Sequence, residues 1–167
     1  MSRTTGDKIE RKYLAHFIDE SFGGTASYVR IGKDLEEYTI EMNPDGESKK
    51  NILGETSYTL KGYEPSGSVG TQYCYEGDPM FTHLKAIVDG RLTGSACKTT
   101  VVDAVIDDSS TAGEYTVSSA FKEDVIIEVQ SFGGDTGGMQ IPYNIHYAGN
   151  RTDVSNGTID DGKFVLP

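Results

Sequence analysis

The sequence predicts a mainly β fold, an antiparallel β-sandwich or curled sheet with one flanking α-helix over about residues 79–89 and a long hairpin arm. Three observations predict it. Apolar and polar residues alternate with period 2 through most of the chain, as in strands with one packed and one wet face. The helical period occurs once. The composition holds ten tyrosines, no tryptophan and many Val, Ile and Thr residues, a mixture suited to half-buried pleated surfaces. At 167 residues the chain is long enough for one domain with a real core, and residues 1–167 are read as a single domain.

In chain order, KYLAHFI (12–18) reads as a short strand, broken by SFGGTAS and resumed from Tyr28 to Ile31. LEEYTIEM places Tyr38, Ile40 and Met42 on one face and Glu37, Thr39 and Glu41 on the other. Asn43-Pro44-Asp45-Gly46 then reads as a turn, with proline setting φ and Asp-Gly permitting reversal, and GESKK continues it as a polar loop. In NILGETSYTLKGY, Thr56, Tyr58 and Leu60 alternate with Ser57, Thr59 and Lys61, so the strands around NPDGESKK form the expected hairpin arm.

Met80, Phe81, Leu84, Ile87 and Val88 fall at i, i+1, i+4, i+7 and i+8, one apolar helical stripe. Asp78 is a natural N-cap, Pro79 sits at N1 where its missing N–H costs nothing, and Gly90 is placed for a C′ cap. Beyond it the β pattern returns as KTTVVDAVI, a DDSSTAGE turn, EYTVSSAF and VIIEVQSF. After the alternation of Tyr143, Ile145 and Tyr147 comes AGNRTDVSNG, then a last strand near Lys163 to Leu166.

The cluster SFGGDTGG (131–138) poses a choice between a phosphate cradle and a bend. A phosphate loop needs converging backbone N–H groups, usually followed by a helix N-terminus. Here a strand pattern follows, and the Lys-Ser/Thr pair of a P-loop is absent, so the cluster is read as a turn between neighbouring strands with Asp135 and Thr136 at its exposed tip.

Catalysis finds little raw material. His16, His83 and His146 show no metal-binding spacing, and no nucleophile elbow or CxxC is present. Asp107-Asp108 and Asp160-Asp161 read as solvated turns rather than halves of a glycosidase pair, and no calcium-loop spacing occurs. No catalytic, metal or cofactor-binding residue is therefore assigned, and no cofactor is expected. Cys74 and Cys97 read as small buried thiols rather than a disulfide. The sequence shows no signal-type or membrane-spanning apolar run, so the Asn150 and Asn156 sequons are read as chance.

The net charge of −11 argues against nucleic acid as a bound partner, though not against an acidic protein that guides DNA past itself. Glu37, Glu41, Asp103 and Glu128 lie opposite apolar strand positions and predict one acidic sheet face. Such a face is either simply solvated or the wall of a space through which another polyanion passes without adhering.

The segments RKYLAHFIDESFGG, YVRIGKDLEEYTIEMNPD, NILGETSYTLKGYEPS, RLTGSACKTTVV and VIIEVQSFGGDTGGMQIPYNIHYAGNRT, in this order, resemble the tail tube (major tail) proteins of tailed bacteriophages, especially those of Gram-positive gut bacteria. The resemblance covers most of the chain. It implies a β-sandwich flanked by a helix with a long hairpin arm, similar in fold to the tube protein of type VI secretion systems. It also implies a structural, non-enzymatic subunit. Such subunits form homo-oligomeric, hexameric rings whose inner sheets join into one β-barrel, and the rings stack into a tube beside other tail proteins. DNA passes through without specific binding, and the expected location is the virion tail, assembled in the host cytoplasm.

Under this resemblance Glu37, Glu41, Asp103 and Glu128 are candidate lumen residues. Asn43, Pro44, Asp45 and Gly46 are candidates for the arm that reaches a neighbour, and Asp135 and Thr136 for a further assembly loop. The alternatives are a carbohydrate-binding or adhesive β-sandwich of a virion or cell surface, using tyrosines as sugar platforms, and a small hydrolase with a dispersed site.

Overall fold

The structure is a computed structural model that describes residues 4–107 and 114–167. It is mainly β with one α-helix among the described residues, as the sequence predicts. The principal sheet contains β1 (Leu14–Asp19), β2 (Tyr28–Arg30), β3 (Ile40–Glu41), β6 (Ser66–Val69), β7 (Lys98–Ile106), β8 (Glu114–Val129), β11 (Tyr143–Asp153), β12 (Thr158–Asp160) and β13 (Lys163–Val165). Its order is β12-β13-β2-β1-β7-β8-β11-β6-β3, and every pairing is antiparallel. Two hairpins stand apart, β4 (Pro44–Lys50) with β5 (Thr56–Tyr63) and β9 (Gly133–Asp135) with β10 (Gly138–Gln140).

The sheet curls until β12 also bonds to the first turn-side residues of β8, Thr158 facing Thr116 and Asp160 facing Glu114. Strands β12, β13, β2, β1, β7 and β8 thus close on themselves, while β8, β11, β6 and β3 run on as an open sheet. Closure eliminates one of the two edges that invite foreign pairing and leaves the other at β3.

Alternation divides the apolar residues between two cores. Ala15, Phe17, Tyr28, Val102, Ala104, Ala120, Ile159 and Phe164 fill the closed end. Ile18, Val101, Val125, Ile127, Tyr143 and Ile145 point to the other face, where α1 (Pro79–Gly90) covers them with Met80 and Leu84. Asp78 caps α1, its side chain accepting from the Met80 N–H at 3.1 Å, and Pro79 occupies N1.

Several boundaries differ from the pattern-based expectation. Gly90 is the last helical residue, and the left-handed position falls on Arg91 at φ 46° and ψ 50°. The expected strand LEEYTIEM shrinks to Ile40–Glu41, because residues 35–39 leave the ladder to tuck Tyr38 over the sheet. NPDG is not the arm's turn. Pro44–Lys50 is itself a strand, and the chain reverses at 51–55, where the Asn51 side chain accepts from the N–H groups of Leu53 and Glu55.

EYTVSSAF and VIIEVQSF form one strand, since Lys122, Glu123 and Asp124 stay in register with β7. β11 runs on to Asp153, and an unanticipated β12 precedes the final strand. The expected DDSSTAGE turn lies largely outside the described residues.

Candidate assembly surface

The arm is built almost wholly from polar and aromatic residues whose only sheet partners, among the described residues, are each other. In β4 all but Glu47 are exposed, and in β5 all but Gly62. Pro44 faces Tyr63 and Lys50 faces Thr56 across seven matched pairs, with a bulge between Asp45 and Gly46. Gly46 lets the Tyr58 ring lie against the backbone; a Cβ at this position would stand 1.7 Å from the Tyr58 hydroxyl and push the exposed ring aside.

Lys61 pairs with Glu47 at 3.1 Å along the arm. At the tip Ile52 is 103% and Leu53 77% exposed, and Tyr58, Leu60 and Tyr63 add apolar surface along the shaft. A lone two-stranded hairpin is marginal in water, and this one carries its apolar side chains outward.

The arm leaves the body at the open edge. Its first strand follows β3 and its second leads into β6, the two outermost strands of the sheet, and Asn43 ties the base together by donating to Glu64 O and Ser66 Oγ. Asn43, Pro44, Asp45 and Gly46 therefore sit at the root of the arm, and its reach belongs to Ile52 and Leu53. The sequence signal for that tip was the Asn51-to-Glu55 turn chemistry, masked by the stronger-looking NPDG.

Register decides which acidic residues share a surface. On the face turned away from α1, Glu128 lies opposite Asn144, which lies opposite Ser68; Glu41 lies opposite Ser66, which lies opposite His146. His146 Nε2 is 3.0 Å from Glu128 Oε2, and Asn144 and Gln130 also donate to Glu128. Glu37 and Glu41 line a cavity of about 690 Å³ beside Ser66, Ser68, Asn144 and His146. Glu41 and Glu128 thus share one face, and Glu37 lies at its edge, between this cavity and one lined by Arg11, Arg30 and His16.

Asp103 is not with them. It lies on the α1 side of the sheet, half-buried, where Oδ1 is 2.7 Å from His16 Nδ1 and Oδ2 accepts from the Tyr147 hydroxyl at 2.7 Å. His16 is buried and stands edge-on to Tyr38 at 4.7 Å between ring centroids. Burial and then the Asp103 charge push the hydroxyls of Tyr38 and Tyr147 well above the ordinary tyrosine range. Period-2 counting missed this because it cannot tell which side of a sheet a helix will cover.

The glycine cluster forms a small hairpin, β9 and β10, and no helix follows it. Asp135 and Thr136 are exposed, and Asp135 Oδ1 accepts from the Gly137 N–H at 2.7 Å, an Asx-type reversal. The hairpin is tied to residues 72–74, with Tyr73 bridging to Gln140 and the Cys74 N–H donating to Met139 O. Cys74 and Cys97 are both free thiols, Cys97 buried. Among the described residues no group of His, Cys, Asp and Glu is arranged to hold a metal, and no helix is long and apolar enough to cross a membrane.

No protein-family model matches the chain, and no curated protein matches its sequence. Solved structures do match its fold. One is the sheath/tube terminator of PVC, an extracellular contractile injection system, in the extended state; the TM-score is 0.54 at 8% identity, covering 90% of this chain and 99% of that one. Another is the tube terminating cap of the anti-feeding prophage, with a TM-score of 0.54 at 9% identity, covering 92% and 95%. At such identities the likeness is one of architecture, and along nearly its whole length the chain folds like these tube-terminating proteins of contractile injection systems.

Proposed function

We propose that the chain is a structural, non-enzymatic subunit of a phage-like tail tube, assembling into hexameric rings that stack into a channel for DNA. One observation carries the reading: a sheet closed at one end leaves a single open edge, and from that edge projects an exposed arm with Ile52 and Leu53 at its tip. Edge pairing between copies would satisfy the free backbone groups of β3, and docking of the arm would remove its apolar side chains from water.

In such a ring the face bearing Glu41 and Glu128, with Glu37 beside it, is the one assigned to the lumen. Its like charge would keep a polyanion from adhering. Asp103 has no part in that wall. The Asp135–Thr136 tip is assigned to contacts between rings.

A second reading, a ring that ends a tube rather than propagating it, is favoured by the fold of the two tube-terminating proteins. Negative-stain microscopy of concentrated protein separates the outcomes. Stacked tubes of uniform width support the tube subunit, and single rings that do not stack support the terminator. A persistent monomer that binds a glycan array would overturn both in favour of an adhesive module.

A further inference from the structure

Within this acidic chain one pocket gathers positive charge. A cavity of about 410 Å³ is lined by Arg11, Arg30, Lys33, Glu36 and Glu37, with His16 also contributing to its wall. Arg11 is held by two backbone carbonyls, donating through Nη1 to Leu14 O at 2.7 Å and through Nη2 to Tyr38 O at 3.0 Å. Arg30 is held by a third, donating through Nη2 to Lys12 O at 2.8 Å. Among the described residues neither guanidinium is paired with a carboxylate, and each keeps N–H groups to spare.

Their proximity is unfavourable as it stands: burial, and next the charge of Arg11, pull the Arg30 guanidinium below its ordinary range. Two like charges fixed by backbone contacts rather than by counter-charges are arranged for an anion supplied from outside.

His16 forms part of the same wall. His16 is buried, its Nδ1 is engaged by Asp103, and its Nε2 has no hydrogen-bond partner. A neutral ring that donates from Nδ1 to Asp103 keeps only a lone pair at Nε2, which is shut off from the cavity, so His16 reports on the pocket from its wall and the grip falls to the arginines. The groups around it are Asp103 on β7, Tyr147 on β11, Tyr38 with Glu36 and Glu37 on the segment before β3, and Arg11, Arg30 and Lys33. Lys33 lies 3.9 Å from the Tyr75 ring centroid, which steadies its ammonium.

We propose that this pocket binds a tetrahedral oxyanion of the sulfate and phosphate class, gripped by Arg11 and Arg30 with Lys33 beside them. Planar guanidinium forks match the oxygen spacing of such ions, and their fixation in advance lowers the ordering cost of binding. Glu36 and Glu37 oppose the bound charge and set its affinity low enough for exchange. The site is independent of the tube reading, since it is complete within one subunit.

The test is a sodium sulfate titration of the purified protein at constant ionic strength, followed by NMR of the arginine Nε–H and His16 ring signals. Saturable shifts of Arg11, Arg30 and His16 are expected, with no equivalent response to sodium chloride. Arg30→Gln, which leaves both Arg11 contacts in place, should weaken sulfate binding by about tenfold, the loss of one charge-assisted contact. Glu36→Gln combined with Glu37→Gln should strengthen it by about threefold or more, because like charge is removed at close range. Unsaturable shifts, an equal response to chloride, or an affinity indifferent to these variants would overturn the site. If Arg30→Gln fails to fold, the Glu36 and Glu37 double variant decides alone.

Discussion

The Tyr38 ring lies directly on Gly67: a Cβ at position 67 would stand 2.3 Å from the Tyr38 hydroxyl oxygen. Gly67 belongs to β6 and Tyr38 to the segment that leads into β3, so this contact seats the outer edge of the sheet. Gly67→Ala should therefore displace Tyr38 and cost about 1–3 kcal/mol through overpacking, read as a lower denaturant midpoint. An unchanged midpoint would mean the ring moves aside freely.

Asp103 and the exposed acids should behave oppositely. Asp103→Ala deprives buried His16 and Tyr147 of their shared acceptor and should cost about 1–3 kcal/mol in urea unfolding. Glu41→Lys and Glu128→Lys, on the open face, should stay within about 0.5 kcal/mol of the parent while impairing DNA passage through assembled particles. Normal passage with a reversed face would remove these two residues from the lumen wall.

Tyr38, Tyr143 and Tyr147 have hydroxyls raised above their ordinary range, in each case first by burial. A folded-state pKa above the unfolded value of about 10 gives stability that is complete below that pH and is lost as pH rises through and beyond it. Tyrosinate absorbance should therefore rise in two stages, exposed tyrosines first and these three only as the protein unfolds. A single smooth titration with the fold intact would contradict their burial.

The two ends of α1 predict changes of opposite sign. Asp78→Ala removes the acceptor for the Met80 N–H and should cost about 1 kcal/mol. Arg91→Gly relieves a left-handed residue at the C-cap and should be neutral or stabilising by up to about 1 kcal/mol. Thermal melts of the two single variants are sufficient to compare them.

Replacing Ile52 and Leu53 by Asp should leave the melting temperature within about 2 °C, since neither side chain is buried in the subunit. The same change should abolish rings and tubes by microscopy. Full assembly with charged tips would show that the arm docks through its shaft or not at all.

The helix was legible because its stripe, N-cap and proline all agree, and β7 because KTTVVDAVI is a run rich in β-branched residues. The arm was legible as a hairpin, but its turn was displaced by several residues. NPDG carries stronger generic turn chemistry than NILGE, yet the Asn51 side chain closes the actual reversal with two backbone hydrogen bonds. The charged triplet Lys122-Glu123-Asp124 hid the continuity of β8, because its partners lie on distant strands: Asp124 meets Lys98 and Asn150, and Glu123 meets the Gly149 N–H. Asp103 was grouped with the acidic face because alternation within one strand does not reveal its register against the next: it lies opposite Phe121, on the Val125 and Ile127 side of β8, whereas Glu128 is on the other.

The pairing of β12 with β8 also sets an order of events during synthesis. Until residues 158–165 have emerged, β2 and the first half of β8 are bare edges around an unfilled core, since Ile159 and Phe164 are absent from it. Contacts of such long sequence separation form late and slowly. The closed end therefore stays unfinished until residues 158–165 have been made, and any surface that depends on it forms only then.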